Sequence, residues 1–139
     1  MGLDQYAYAA IRAGQYDEFY QAAEWDAERQ DYKSKSVSKP KELAYWRKHA
    51  NLQGWMEQLW LKRNHTRTDK TFNNIELELT WDDIDALERA VIYGRLPPTR
   101  GFFFGDGNDE YYREYDLKFI TDARTELFCG LKVFYNSSW

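Results

Sequence analysis

From Leu3 to Ala9 apolar and polar positions alternate around Tyr6 and Tyr8, the two-residue period of a half-buried strand. Over residues 15 to 31 the period lengthens. Tyr16, Phe19, Tyr20, Ala23 and Ala27 recur at three- and four-residue spacings, which predicts an amphipathic helix. Residues 33 to 40 (KSKSVSKP) hold no such period and read as a flexible, lysine-rich loop. Pro40 can open a further helix, with Leu43, Trp46 and Tyr45 turned inward. Asn51 then stands as the N-cap of a second short helix carrying Leu52, Trp55, Met56, Leu59 and Trp60 on one stripe.

Residues 64 to 74 read as a loop. Ile75, Leu77 and Leu79 alternate with Glu76, Glu78 and Thr80, the pattern of a strand with an acidic outer face. Thr80 precedes a helix that runs to about Tyr93, its first-turn Asp82 and Asp83 complementing the helix dipole. Gly94 stops it, and Pro97 and Pro98 forbid its continuation. Residues 101 to 105 (GFFFG) form a short apolar segment between glycines, a candidate strand, and 106 to 108 a turn. Asp116 reads as the cap of a last helix with Leu117, Ile120, Ala123, Leu127 and Phe128 inward and Gly130 closing it. Residues 131 to 135 form the final strand. This order predicts an α+β fold, one domain over residues 1 to 139, with helices covering a small, mainly antiparallel sheet.

A chain of 139 residues suits one domain. Its 20 Leu, Ile and Val are outnumbered by 25 aromatic residues, and because a ring buries more area than an aliphatic side chain, a compact core remains within reach. The net charge of -4 conceals a partition: residues 1 to 32 carry -5, residues 33 to 70 carry +7, and residues 71 to 139 carry -6. Cys129, the one cysteine, forms no internal disulfide, and no apolar run approaches signal or membrane length. The expectation is a soluble, intracellular protein.

Chemistry narrows by elimination. His49, His65 and Cys129 lack the spacing of a zinc site, and both histidines read as solvent-exposed. Residues 106 to 110 miss the glycine and glutamate positions of a calcium loop, since Tyr111 and Leu117 stand there. No phosphate loop follows Gly101 and Gly105, and no nucleophile elbow surrounds a serine. Neither a cofactor nor a metal is expected. The basic middle is more informative: Tyr45, Trp46, Arg47, Lys48 and His49, then Trp55, Trp60, Lys62, Arg63 and Arg67, interleave rings with cations. Such a mixture can stack a base or clamp a phosphate. Helical spacing assigns the tryptophans to the core and leaves Arg47 and Lys48 as the cations of interest. Acidic flanks, with no helix-turn-helix or finger pattern, argue against duplex DNA.

Several strings together resemble a family of small proteins widespread in tailed bacteriophages, cyanophages included, and in related bacterial genomes. They are residues 1 to 6 (MGLDQY), 45 to 48 (YWRK), Leu96-Pro97, 101 to 105 (GFFFG), 109 to 112 (DEYY) and 137 to 139 (SSW), in that order. Some members carry a phosphoglycerate kinase label. Such a kinase is a two-domain enzyme several times longer, so the label does not fit this chain. The resemblance implies a phage protein acting in the host cytoplasm. One reading of the shared strings is a site built from distant segments, with Trp46, Arg47, Lys48, Phe103, Tyr111, Tyr112 and Trp139 as its contacts. The other is a signature of the fold, with the glycines for turns and Trp139 tucked against the sheet. The function expected is non-enzymatic binding of a host protein or an anionic, nucleotide-like small molecule. The alternatives are a phosphoester hydrolase using carboxylates such as Asp109 and Glu110, and an assembly protein forming a homo-oligomer.

Overall fold

The computed structural model describes residues 2–14, 23–26, 28, 31–34, 40–64, 71–99 and 109–139, at 23–26 and 31–34 for the backbone alone. In chain order the elements are β1 (Asp4–Ala10), β2 (Ala23–Asp26), β3 (Asp31–Ser34), β4 (Lys41–Arg47), α1 (Ala50–Arg63), β5 (Leu77–Leu79), α2 (Trp81–Ile92), α3 (Asp109–Phe128) and β6 (Lys132–Ser138). Four strands form an antiparallel sheet in the order β4-β1-β6-β5, and β2 pairs with β3 in a separate hairpin. The fold is α+β.

One face of the sheet supplies Ala7, Ala44, Trp46, Leu77, Leu79, Val133 and Tyr135 to the main core. The helices meet it there, through Leu52 and Met56 of α1, Ile84 and Leu87 of α2, and Phe119 and Ile120 of α3. The opposite face holds a smaller cluster in which Tyr8 stacks on Phe134 with ring centroids 5.6 Å apart. Rings contribute the largest fully buried side chains, Trp46, Tyr135, Phe72, Phe119 and Phe134, among a larger number of buried aliphatic residues.

Thr80 forms the predicted cap as a reciprocal capping box with Asp83. Gly130, at φ 88°, follows α3 in the left-handed conformation that glycine adopts without penalty. Arg124 ties α3 to α2, donating to Glu88 and Asp85 at 2.6 Å each.

Several expectations fail, each because a distant partner overrides a local pattern. Residues 23 to 26, read as helix, form a strand whose Trp25 and Tyr32 are register partners. Lys33 and Ser34, read as loop, complete that hairpin. The helix expected after Pro40 is β4, because β1 offers a ladder from Lys41 to Arg47, with a register shift at Leu43. Alternating burial at Ala44, Tyr45, Trp46 and Arg47 shows the period of two. Asn51 is not the N-cap of α1; His49 is, without a side-chain cap bond. Asp116 does not begin α3, which starts at Asp109 and passes Asp116 in its interior. Phe128, expected inward, is 87% exposed. The candidate strand at 101 to 105, the turn at 106 to 108, residues 35 to 39 and His65 lie outside the described residues.

Both outer strands are sealed by side chains, as exposed sheet edges require. Along β4, the Tyr45 N–H donates to the Tyr115 hydroxyl at 2.9 Å. The Tyr112 hydroxyl accepts from the Arg47 N–H at 3.3 Å and donates to its carbonyl at 2.8 Å. Along β5, Arg63 donates to the Glu78 carbonyl and also pairs with Asp83.

Candidate functional site

The site is organised by one buried carboxylate. Asp116 accepts the Trp46 indole N–H on Oδ1 at 2.8 Å, and its Oδ2 lies 2.8 Å from His49 Nε2. Trp46 and His49 are fully buried and Asp116 is 1% exposed. A carboxylate facing Nε2 makes that nitrogen the donor. His49 Nδ1 has no hydrogen-bond partner among the described residues. The expectation that His49 is solvent-exposed is therefore overturned: its ring is enclosed beneath Tyr112, stacked at 4.7 Å and 17°.

A second set of buried polar groups fixes the same turn from below. Gln5 accepts the His49 N–H at 2.8 Å and donates to the His49 carbonyl at 3.0 Å. It also donates to the Tyr135 hydroxyl at 2.9 Å, which in turn donates to Gln53. Burial pushes the Tyr135 phenol far above its ordinary range, with the Gln5 contact opposing, so it stays protonated and serves as a fixed donor.

Between the two residues held by Asp116 lie Arg47 and Lys48, both exposed. Lys48 occupies the left-handed region at φ 59°, a conformation that costs a non-glycine residue about 1–2 kcal/mol. Its backbone N–H is fixed to the Leu3 carbonyl at 2.8 Å. Arg47 Nη2 and Lys48 Cε stand 3.8 Å and 3.2 Å from the point a Cβ on Gly2 would take, so the two side chains run together over bare backbone. The Arg47 guanidinium has no ion pair among the described residues. Asp4, its cross-strand neighbour, accepts the Tyr45 hydroxyl at 2.7 Å instead. That hydrogen bond, and burial after it, hold the Tyr45 phenol above its ordinary value.

The structure divides the residues singled out by sequence. Arg47 and Lys48 are brought together. Tyr112 joins them as the residue whose hydroxyl holds the Arg47 backbone, and Tyr111, 82% exposed, packs edge-on against Tyr112 at 4.9 Å. Trp46 is enclosed in the core, its indole N–H engaged by Asp116. Trp139 packs against the helix-side core, with its N–H and carbonyl held by Asn73. Phe103 lies outside the described residues. Asp109 is engaged by Asn51, both its oxygens accepting from Asn51 Nδ2 at 3.1 and 3.2 Å. Asn51 also accepts the Thr99 N–H at 2.9 Å.

Sequence reasoning missed Asp116, His49, Gln5 and Asn51 in these roles. The one signal for Asp116 is its place beside Leu117 and three residues before Phe119, a charge on what becomes the buried face of α3. Among the described residues no group of three or more His, Cys, Asp or Glu is placed to hold a metal ion, and no helix is long and apolar enough to cross a membrane. Comparison with protein families, curated proteins and solved structures finds no match to this chain.

Proposed function

We propose that this chain is a small binding protein whose ligand presents a phosphate or carboxylate to Arg47 and Lys48. The observation that carries this is the Arg47 side chain, exposed and without an ion pair among the described residues, running beside Lys48 over Gly2. Both backbones are fixed in advance, by Tyr112 and Leu3, so binding an anion need not reorganise the chain at these positions. Arginine suits such a ligand because its planar fork donates two parallel hydrogen bonds. Tyr111 adds an exposed ring close by, of use to a ligand that also carries a planar group. What favours binding over catalysis is that the His49–Asp116 pair is enclosed in the core and Asp109 is held by Asn51. The strings shared with tailed-phage proteins give the proposed setting, the cytoplasm of an infected host, where the anionic group belongs to a host protein or to a small molecule.

The test is native mass spectrometry of wild-type and Arg47→Glu protein after incubation with infected and uninfected host extract. The wild type should retain an anionic adduct or a host partner. Arg47→Glu, with unchanged circular dichroism, should lose it. Retention of every adduct and partner by a folded Arg47→Glu protein would remove Arg47 from the site.

A further inference from the structure

The grip of Asp116 on Trp46 and His49 has a geometric effect on the two residues between them. These positions are i and i+3 of one chain segment, and one carboxylate holds both from below at 2.8 Å. The intervening Arg47 and Lys48 must therefore turn outward together. The left-handed φ of Lys48 is where the chain accommodates that turn. Resting on the reading of Arg47 and Lys48 as an anion site, we infer that Asp116 is its positioning residue. It never touches the ligand, and it sets the direction in which the two cations project.

Charge makes the arrangement worth noting, because an acid near an anion site ordinarily repels its ligand. Asp116 is 1% exposed and both its oxygens face donors, a buried indole N–H and a buried imidazole. Its charge is thus turned inward, and the solvent side keeps the cations. The remaining carboxylates nearby are similarly committed: Asp4 to Tyr45, Asp109 to Asn51. Glu110 and Glu114, both exposed on α3, are among the acids that face water.

Binding of inorganic phosphate to the full chain, measured by calorimetry at low salt and at a temperature where each variant is folded, separates this role from a structural one. Asp116→Leu removes both bonds and should raise Kd about tenfold, within the usual coupling between residues of one network. Asp116→Asn can still accept from Trp46, and can donate to His49 Nε2 once the imidazole carries its proton on Nδ1 instead, so it should stay closer to the wild-type Kd than Asp116→Leu. Should Asp116→Leu fail to fold, Trp46→Phe releases one oxygen alone and should give a smaller rise. In an Arg47→Ala/Lys48→Ala background these effects on Kd should vanish, while their effects on melting temperature persist. A wild-type Kd in folded Asp116→Leu or Trp46→Phe, with Arg47→Ala still weakened, overturns the positioning role and spares the site. Equal phosphate binding by wild type and Arg47→Ala, or none by wild type, overturns both.

Discussion

His49 Nε2 and Asp116 Oδ2 meet at 2.8 Å across 67 positions of sequence, with 0% and 1% of their side chains exposed. His49→Leu leaves Asp116 Oδ2 without a partner in the core while Oδ1 keeps the Trp46 N–H, and should lower unfolding stability in urea by about 1–3 kcal/mol. His49→Leu/Asp116→Leu should recover little of it, because it leaves the buried Trp46 N–H unpaired. A loss below about 1 kcal/mol for His49→Leu, the scale of an exposed pair, would show that the contact is not enclosed as described.

The tyrosine seal on β4 gives a second expectation. Tyr112→Phe/Tyr115→Phe removes the hydroxyls that meet the N–H groups of Arg47 and Tyr45. The edge left open is a template for pairing with another strand. The variant should stay folded, lose roughly 0.5–1.5 kcal/mol for each hydrogen bond, and sediment with a concentration-dependent larger species. A variant as monodisperse as its parent at every concentration would mean that the hydroxyls do not guard the edge.

Gly54 is required by close approach. A Cβ there would stand 1.8 Å from Thr99 Oγ1 and 2.9 Å from Thr99 Cβ. Thr99 cannot easily retreat, since its N–H is held by Asn51 and its hydroxyl donates to the Pro97 carbonyl at 2.9 Å. Gly54→Ala should lower stability by about 1–3 kcal/mol despite its better helix propensity. Gly54→Ala/Thr99→Ser, which removes a methyl group but keeps the crowded hydroxyl, should recover little. Gly54→Ala/Thr99→Ala should recover more. The order of the three melting temperatures checks the contact.

The contact of Arg124 with Glu88 lowers the Glu88 carboxyl from its ordinary 4.5, with burial opposing. A depressed folded-state value makes its contribution complete above that ordinary value and lost as pH falls through the folded one. Melting temperature should therefore fall on acidification below about pH 4.5, and less steeply in Glu88→Gln, which has no proton to take up there. Identical acid profiles for the two proteins would show that the bond adds nothing to the joining of α2 and α3.

What could be read in advance follows the range of the forces involved. The strand at Leu77 to Leu79 and the Thr80 cap depend on residues within four positions of one another, and both were legible. Trp46 was not. Its three-residue spacing from Leu43 fits a helix, and only the ladder to β1, some 40 positions earlier, makes the segment a strand. Asp116 and Asn51 have the chemistry of caps, because acids and amides usually serve there. Their true partners, Trp46 and His49 for one, Asp109 and Thr99 for the other, lie 48 to 70 residues away. In the site, exposed cations among rings marked Arg47 and Lys48, whereas the buried groups that hold them leave no local pattern.

The central claim is that Arg47 and Lys48 together receive an anionic group. Titrating 15N-labelled protein with inorganic phosphate at low salt, and following the Arg47 side-chain Nε–H and the Lys48 amide by NMR, tests it most directly. Arg124, tied to Asp85 and Glu88, is the internal reference. The account predicts saturable shifts at Arg47 and Lys48 with one shared Kd, weakened by added salt, and no shift at Arg124. Signals at Arg47 and Lys48 that stay still, or that drift no differently from Arg124, would contradict it.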